Sequence, residues 1–265
     1  MKNLSSWFAV LLLGLLALPA SGAGRSGAVV MHAHDETPAQ VSELTSALQR
    51  EGLLVIAPEL PWLRGRSYTR SVTDADAQVD AAILSLRDQG VRRVYLIGHG
   101  LGASYALRYA SRPGVNGVVA IAASHAPESP LYVSSFASDI KRARDFVGQG
   151  KPQTLLEFSD LSWDSLRRRA SASAQSFLSY FDAAGPMNMA RNAQAVRPGT
   201  LVLWIVPQGN SRGAREASIE AYKRLPYHAG SRLIELPSSY GDVRTASVPE
   251  IVEWMRDSVA HIQND

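Results

Sequence analysis

The residues best able to do chemistry gather in two short runs. The first, Gly98-His99-Gly100-Leu101-Gly102-Ala103, follows the apolar stretch Val94-Tyr95-Leu96-Ile97 and opens a helical pattern. Glycines at such a junction permit a tight turn and present main-chain N–H groups at a helix N-terminus, where anions and polarised carbonyls bind. The run also satisfies G-x-G-x-x-[GA]. A dinucleotide site, however, needs an acid ~20 residues further on, at the end of the next strand. Here that strand ends Ile121-Ala122-Ala123-Ser124-His125, with no acid, and no cofactor is expected. The second run is His32-Ala33-His34-Asp35-Glu36. Histidines two apart at a strand end can point the same way, His99 and His125 could approach them, and imidazoles with a carboxylate suit zinc. The same histidines also fit plain packing roles at a sheet rim, and no metal is expected. The chain has no cysteine, which removes disulfides, thiolate metal sites and a thiol nucleophile together.

These runs sit at the ends of short, nearly continuous apolar segments: 28–31, 53–57, 93–97, 117–122, 201–206 and 232–236. Val, Ile and Leu without alternation mark strands buried on both faces, as in a parallel sheet. Helical patterns separate them at 38–50, 74–89, 101–111, 214–224 and 249–262. The alternation predicts right-handed βαβ units and an α/β fold with a doubly wound, mainly parallel sheet of about six strands. Between about Pro127 and Pro198 the rhythm stops. The segment is too long for a bare loop, and helical patterns at 138–147 and 162–180 predict an inserted helical cap over the carboxyl ends of the strands. Its aromatics, Phe158, Trp163, Phe177, Tyr180 and Phe181, could wall a pocket, but helical spacing favours packing of the cap on the core. Trp62 and Trp204 read as structural.

The strand–glycine turn–helix resembles the nucleophile elbow of the α/β-hydrolase superfamily, whose signature is G-x-S-x-G. The resemblance extends over essentially the whole chain beyond its first residues. His32-Ala33-His34 stands where the family often has the His-Gly of its oxyanion loop, and Leu53 to Pro61 resembles its next strand and exit. The match breaks where the chemistry should be. Gly100 occupies the nucleophile position, and without an attacking atom there covalent acyl transfer from it is impossible. The family's acid follows the penultimate strand, where Pro207-Gln208-Gly209 leads to Asn210, and an amide cannot hold an imidazolium as a carboxylate does. The family's histidine follows the last strand; the matching residue here is Tyr240 or, with a one-residue slip, Gly241. The resemblance therefore implies a hydrolase scaffold with a degenerate triad. Its oxyanion donors would be the main-chain N–H groups of Leu101 and of Ala33 or His34. The expected pocket is bordered by His32, Ala33, His34, His99, Leu101, His125 and Asp242. An ester or amide hydrolase with a reorganised site, using Tyr240 or Asp242, is the alternative.

The 265 residues are 46% hydrophobic and 19% charged, enough apolar mass for a sizeable core and too much for a disordered chain. A net charge of only +3 gives no support for nucleic-acid binding. Lys2, the uncharged run 7–18 and Leu18-Pro19-Ala20-Ser21-Gly22-Ala23 together read as an export signal, cleaved after Ala23. The remainder, 24–265, is then one domain in the periplasm or outside the cell. No stable membrane anchor is expected after cleavage. The expected partners are a small acyl, carboxylate or ester-like ligand, or a protein.

Overall fold

The structure, a computed structural model, describes residues 25–161 and 167–262. The export signal expected at 1–23, and Trp163, lie outside the described residues. Six strands form one sheet: β1 (Ser26–Met31), β2 (Leu54–Ile56), β3 (Arg93–His99), β4 (Gly117–Ile121), β7 (Leu201–Pro207) and β8 (Arg232–Leu236). Their order across the sheet is β2-β1-β3-β4-β7-β8, and every pairing is parallel. Each expected strand is present. The central ones are buried along their length, Arg93 at the start of β3 apart, which explains their continuous apolarity.

Alternate residues of the sheet feed two cores. Val30, Tyr95, Ile97, Val119 and Ile205 meet Leu44 and Leu48 of α1 (Ser42–Arg50) and Ile251 and Trp254 of α9 (Val248–Ile262). Val29, Leu96, Val118 and Trp204 face the other way, toward α2 (Ala75–Asp88) and α3 (Leu101–Tyr109). These two helices are fastened by a four-residue repeat. Asp76 accepts from Tyr105 and Arg108, and Asp80 accepts from Tyr109 and Arg112. Carboxylates one turn apart on α2 thus meet Tyr–Arg pairs one turn apart, the last arginine, Arg112, lying just beyond the end of α3. Trp62 and Trp204 are fully buried, and each indole N–H has an acceptor: His32 O at 2.9 Å and Ser218 Oγ at 2.7 Å.

The insertion is not purely helical, which corrects the sequence reading. The long α4 (Pro130–Gly148) is followed by an antiparallel pair, β5 (Leu155–Leu161) and β6 (Arg167–Ser173), then by α5 (Ala174–Phe181) and α6 (Met189–Gln194). The helix expected over 162–180 therefore begins only at Ala174. The misleading residues are Ala170 and Ala172. They are buried at a strand period, yet alanine favours helices, and their small side chains leave room for the large rings beside them. Phe158 stacks on Phe177 with ring centroids 4.0 Å apart, and Phe181 lies 4.6 Å from Phe177 and 4.4 Å from Phe136. All four rings are buried, so they pack the insertion rather than wall an open pocket. Tyr68, in the loop after β2, ties this unit to the sheet. Its hydroxyl donates to Asp160, its carbonyl accepts from Ser176, and its ring meets Tyr180 and Phe181.

The remaining helices are α7 (Arg212–Tyr222), the short α8 (Val243–Ala246) and two 3-10 turns, Pro38–Val41 and Val72–Asp74, that lead into α1 and α2. Among the described residues no helix is long and apolar enough to cross a membrane. Truncating Phe177 to alanine removes the ring at the centre of the aromatic stack and should cost about 3–5 kcal/mol. Urea denaturation of wild type and Phe177→Ala measures this; a loss below about 1 kcal/mol would mean that the insertion does not depend on the stack.

Candidate functional site

The turn between β3 and α3 is set by three glycines, each needed for a geometric reason. A Cβ on Gly98 would lie 2.3 Å from the carbonyl of Gly102, and one on Gly102 would lie 2.6 Å from Met31 O. These close approaches let α3 sit directly on the ends of β1 and β3. Gly100 has φ 56° and ψ −116°, a conformation that L side chains rarely adopt. Its N–H donates to Ile121 O at 2.9 Å, which pins the turn to β4. The glycine spacing is thus accounted for by chain packing.

Tyr240 occupies the space in front of this turn. A Cβ placed on Gly100 would meet the Tyr240 hydroxyl at 2.0 Å and Ala33 Cβ at 3.0 Å. The ring of His99 lies 4.6 Å from that of Tyr240, and His99 Nε2 donates to Tyr240 O at 3.1 Å. Burial pushes the Tyr240 hydroxyl well above the ordinary tyrosine range, and the carboxylate of Glu36 pushes it the same way. It is therefore a neutral hydrogen-bonding group at any ordinary pH.

Glu36 joins the elements around the turn. One oxygen accepts from Arg244 of α8 at 2.6 Å; the other accepts from Ala33 N–H at 3.1 Å and lies 3.7 Å from His99 Nδ1. Burial opposes ionisation of Glu36, but His99, Arg244 and the Ala33 N–H outweigh it and hold the carboxyl at about 2. Arg244 was not anticipated. It is 208 residues from Glu36 in sequence, and no local pattern marks a pair so distant.

Two main-chain donors remain. Ala33 N–H is taken by Glu36, whereas Leu101 N–H and His34 N–H have no protein acceptor among the described residues. Leu101 begins α3, so its N–H also stands at the positive end of that helix. The side chains of the run 32–36 diverge. His32 is fully buried, donates from Nδ1 to Ala33 O at 2.8 Å and accepts at Nε2 from Leu60 N–H at 3.3 Å. Burial lowers its pKa. His34 stacks on Tyr68, centroids 4.6 Å apart and planes within 5°. Burial lowers its pKa too, against the pull of Asp160.

His125 leaves the end of β4 and turns beneath the insertion. Its Nε2 donates to Tyr180 O at 2.8 Å, Tyr132 approaches Nδ1 at 3.4 Å, and burial pushes the imidazole down to about 4. Among the described residues no three His, Asp or Glu side chains are arranged to hold a metal ion. Asn210 lies in the turn after β7, its N–H bonded to Pro207 O at 3.2 Å. Asp242 bonds Ser239 at the head of α8 and borders a shallow recess with Gln208 and Pro237; Gly100 does not line that recess. Ser124, which sequence reasoning placed only as a strand end, neighbours the Tyr240 hydroxyl and eases its ionisation.

Two predictions follow from this packing. Gly100→Ser should lose about 1–3 kcal/mol, because the new side chain overlaps Tyr240. Adding Tyr240→Ala should recover part of that loss, so the two changes should couple by at least about 0.5 kcal/mol in a double-mutant cycle. Strict additivity would show that Tyr240 is not the obstacle. The second concerns acid. The folded pKa of Glu36 is about 2, below its ordinary 4.5. The stabilisation it brings is therefore complete above pH 4.5 and drains away as pH falls toward 2. Denaturation midpoints measured across that window should fall less for Glu36→Gln than for wild type. Parallel curves would exclude Glu36 as the acid-sensitive tie.

The model of the alpha/beta hydrolase family matches residues 16–257. No match was found among curated protein sequences. Among solved structures, a monoacylglycerol lipase of Paleococcus ferrophilus superposes with a TM-score of 0.64 at 23% identity, over 86% of this chain and 95% of that one. A soluble variant of the Saccharomyces cerevisiae monoglyceride lipase, in complex with a substrate analog, gives 0.62 at 11% identity, over 88% and 86%. Est1E from Butyrivibrio proteoclasticus gives 0.62 at 13%, over 89% of each chain. At these identities the superpositions speak for the fold. With its family model spanning nearly all of the described residues, the chain belongs to the alpha/beta hydrolase family.

Proposed function

We propose that this chain is an exported, catalytically degenerate member of the family that binds a small acyl, carboxylate or ester-like ligand, or a protein partner, without turning it over. The observation that carries the reading is the Tyr240 hydroxyl 2.0 Å from where a Gly100 Cβ would stand. The nucleophile position has no side chain, and a residue from the histidine position fills the space that side chain would need. A relic binding capacity rests on Leu101 N–H and His34 N–H, which have no protein acceptor among the described residues. Such donors at a helix start suit a carbonyl or carboxylate oxygen, and they are main-chain groups that survive loss of a serine. The export signal read at 1–23 supports a periplasmic or secreted protein.

A second reading, an ester or amide hydrolase with a reorganised site, draws support from His34. Its imidazole stacks on Tyr68, makes no hydrogen bond among the described residues and follows Ala33, whose Cβ faces Gly100. The names of two structural neighbours, both lipases, lend it further support.

A fluorophosphonate probe and a panel of p-nitrophenyl esters separate the two readings. The purified chain should show no labelling and no turnover above the buffer rate. The triple variant Gly100→Ser, Asn210→Asp, Tyr240→His should gain labelling, whereas Gly100→Ser alone should gain little, because base and acid would still be missing. Stoichiometric labelling of the wild type, or ester turnover abolished by His34→Ala, would establish the hydrolase instead.

A further inference from the structure

The opposite end of the sheet holds a second recess. A cavity of about 320 Å³ opens at the amino ends of β1 and β3 and includes Ser26, Arg93 and Tyr95. Ser26 pairs with Arg93 and Ala28 with Tyr95, and at the strand period these four side chains share one face. Ser26 is small, so the position beside Arg93 is left open, whereas Ala28 is fully buried and the Tyr95 ring lies over Gly117 of β4. Leu48 of α1 and Val252 and Met255 of α9 supply apolar walls.

Two of the residues that line this recess carry polar groups without partners among the described residues. Tyr95 is 1% exposed, and its hydroxyl is buried without a hydrogen bond. A buried hydroxyl left unpaired destabilises the fold, so its retention calls for an occasional partner. The other group is Arg93. The neighbouring cations are engaged: Arg256 pairs with Glu51 at 2.5 Å, and Arg25 donates to Gln89 O at 3.2 Å. Arg93 makes no ion pair among the described residues and shares the sheet face of Tyr95.

We propose that this recess is a ligand site for an anionic amphiphile, a carboxylate carried on a medium-length acyl chain. The carboxylate accepts from Arg93 at the mouth and from the buried hydroxyl of Tyr95, whose side chain lines the same recess. The chain lies against Leu48, Val252 and Met255. The volume falls near the lower end of the ~300–1,000 Å³ typical of small-molecule sites, which suits octanoate and leaves no room for a diacyl lipid. The site lies at the far end of the strands from Gly100 and does not depend on the function proposed above.

Calorimetric titration of the full chain with octanoate, and with octanol as its uncharged counterpart, tests the assignment. Octanoate should bind at least about tenfold more tightly than octanol, and Tyr95→Phe and Arg93→Gln should each weaken it about tenfold. Without ligand, Tyr95→Phe should melt no lower than wild type, since it removes an unpaired hydroxyl. Ser26→Leu, which fills the recess, should abolish binding. No binding by the wild type, equal affinity for octanol, or binding that survives both Tyr95→Phe and Arg93→Gln would overturn the proposal. The last outcome would move the ligand to the Gly100 end of the sheet.

Discussion

The backbone at Gly100 constrains everything around it. To pass from a strand buried in the middle of a sheet to a helix lying on that sheet, the chain must reverse within one residue, and that residue takes φ 56°. The reversal is possible only because Gly98 and Gly102 let main chain touch main chain; a single methyl on either would force α3 off the ends of β1 and β3. From this contact come the placement of Leu101 N–H, the depth of α3 in the core and the Asp–Tyr–Arg repeat that fixes α2 beside it. The motif is therefore first a packing device, and its chemistry depends on what is hung from it.

What surrounds the turn is held by charge. Glu36 draws a main-chain N–H from the loop after β1, an arginine from α8 and the imidazole of His99 toward one carboxylate. Two of these segments are a loop and a short helix, and the carboxylate ties both to His99 at the end of the buried strand β3. A part-buried carboxylate with several donors is stable because the donors compensate its desolvation, and removing one leaves the rest exposed to that cost. The same carboxylate takes Ala33 N–H out of play, so the donor that remains from that loop is His34 N–H.

The sheet was legible because its strands are buried on both faces, and continuous apolar runs such as Val94–Ile97 and Val202–Val206 admit no other reading at that length. The helices flanking it were legible from their period. The insertion was harder. Leu156, Phe158 and Asp160 alternate with exposed or half-exposed neighbours, a strand pattern, but Ala170 and Ala172 in the partner strand carry helical propensity. Tertiary packing against Phe158 and Phe177 overrode it. At the site, Gly100, His99 and Leu101 were read from the elbow spacing and Tyr240 from its place after the last strand, and Tyr240 does lie against His99 and Gly100. His125 was placed beside the turn, but its imidazole is committed beneath the insertion to Tyr180 and Tyr132. Arg244 and the hub role of Glu36 were invisible, since ion pairs formed across 208 residues have no local signature.

On the proposed reading, the persistence of the tight turn becomes informative. A serine at φ 56° carries backbone strain, which a hydrolase tolerates because the turn aims its oxygen. Glycine removes the strain and the oxygen together, and nothing then obliges the turn to remain sharp. It remains sharp here because Gly98 and Gly102 are still glycine and the helix still sits against the sheet, so the donor at Leu101 still points where an acyl oxygen would be held. Tyr240 fills the space vacated by the side chain and seals it with a hydroxyl that burial keeps neutral. On the proposed reading, then, the scaffold keeps the part of the site that recognises an oxygen and blocks the part that would attack the carbon beside it, which is the arrangement a binding protein needs.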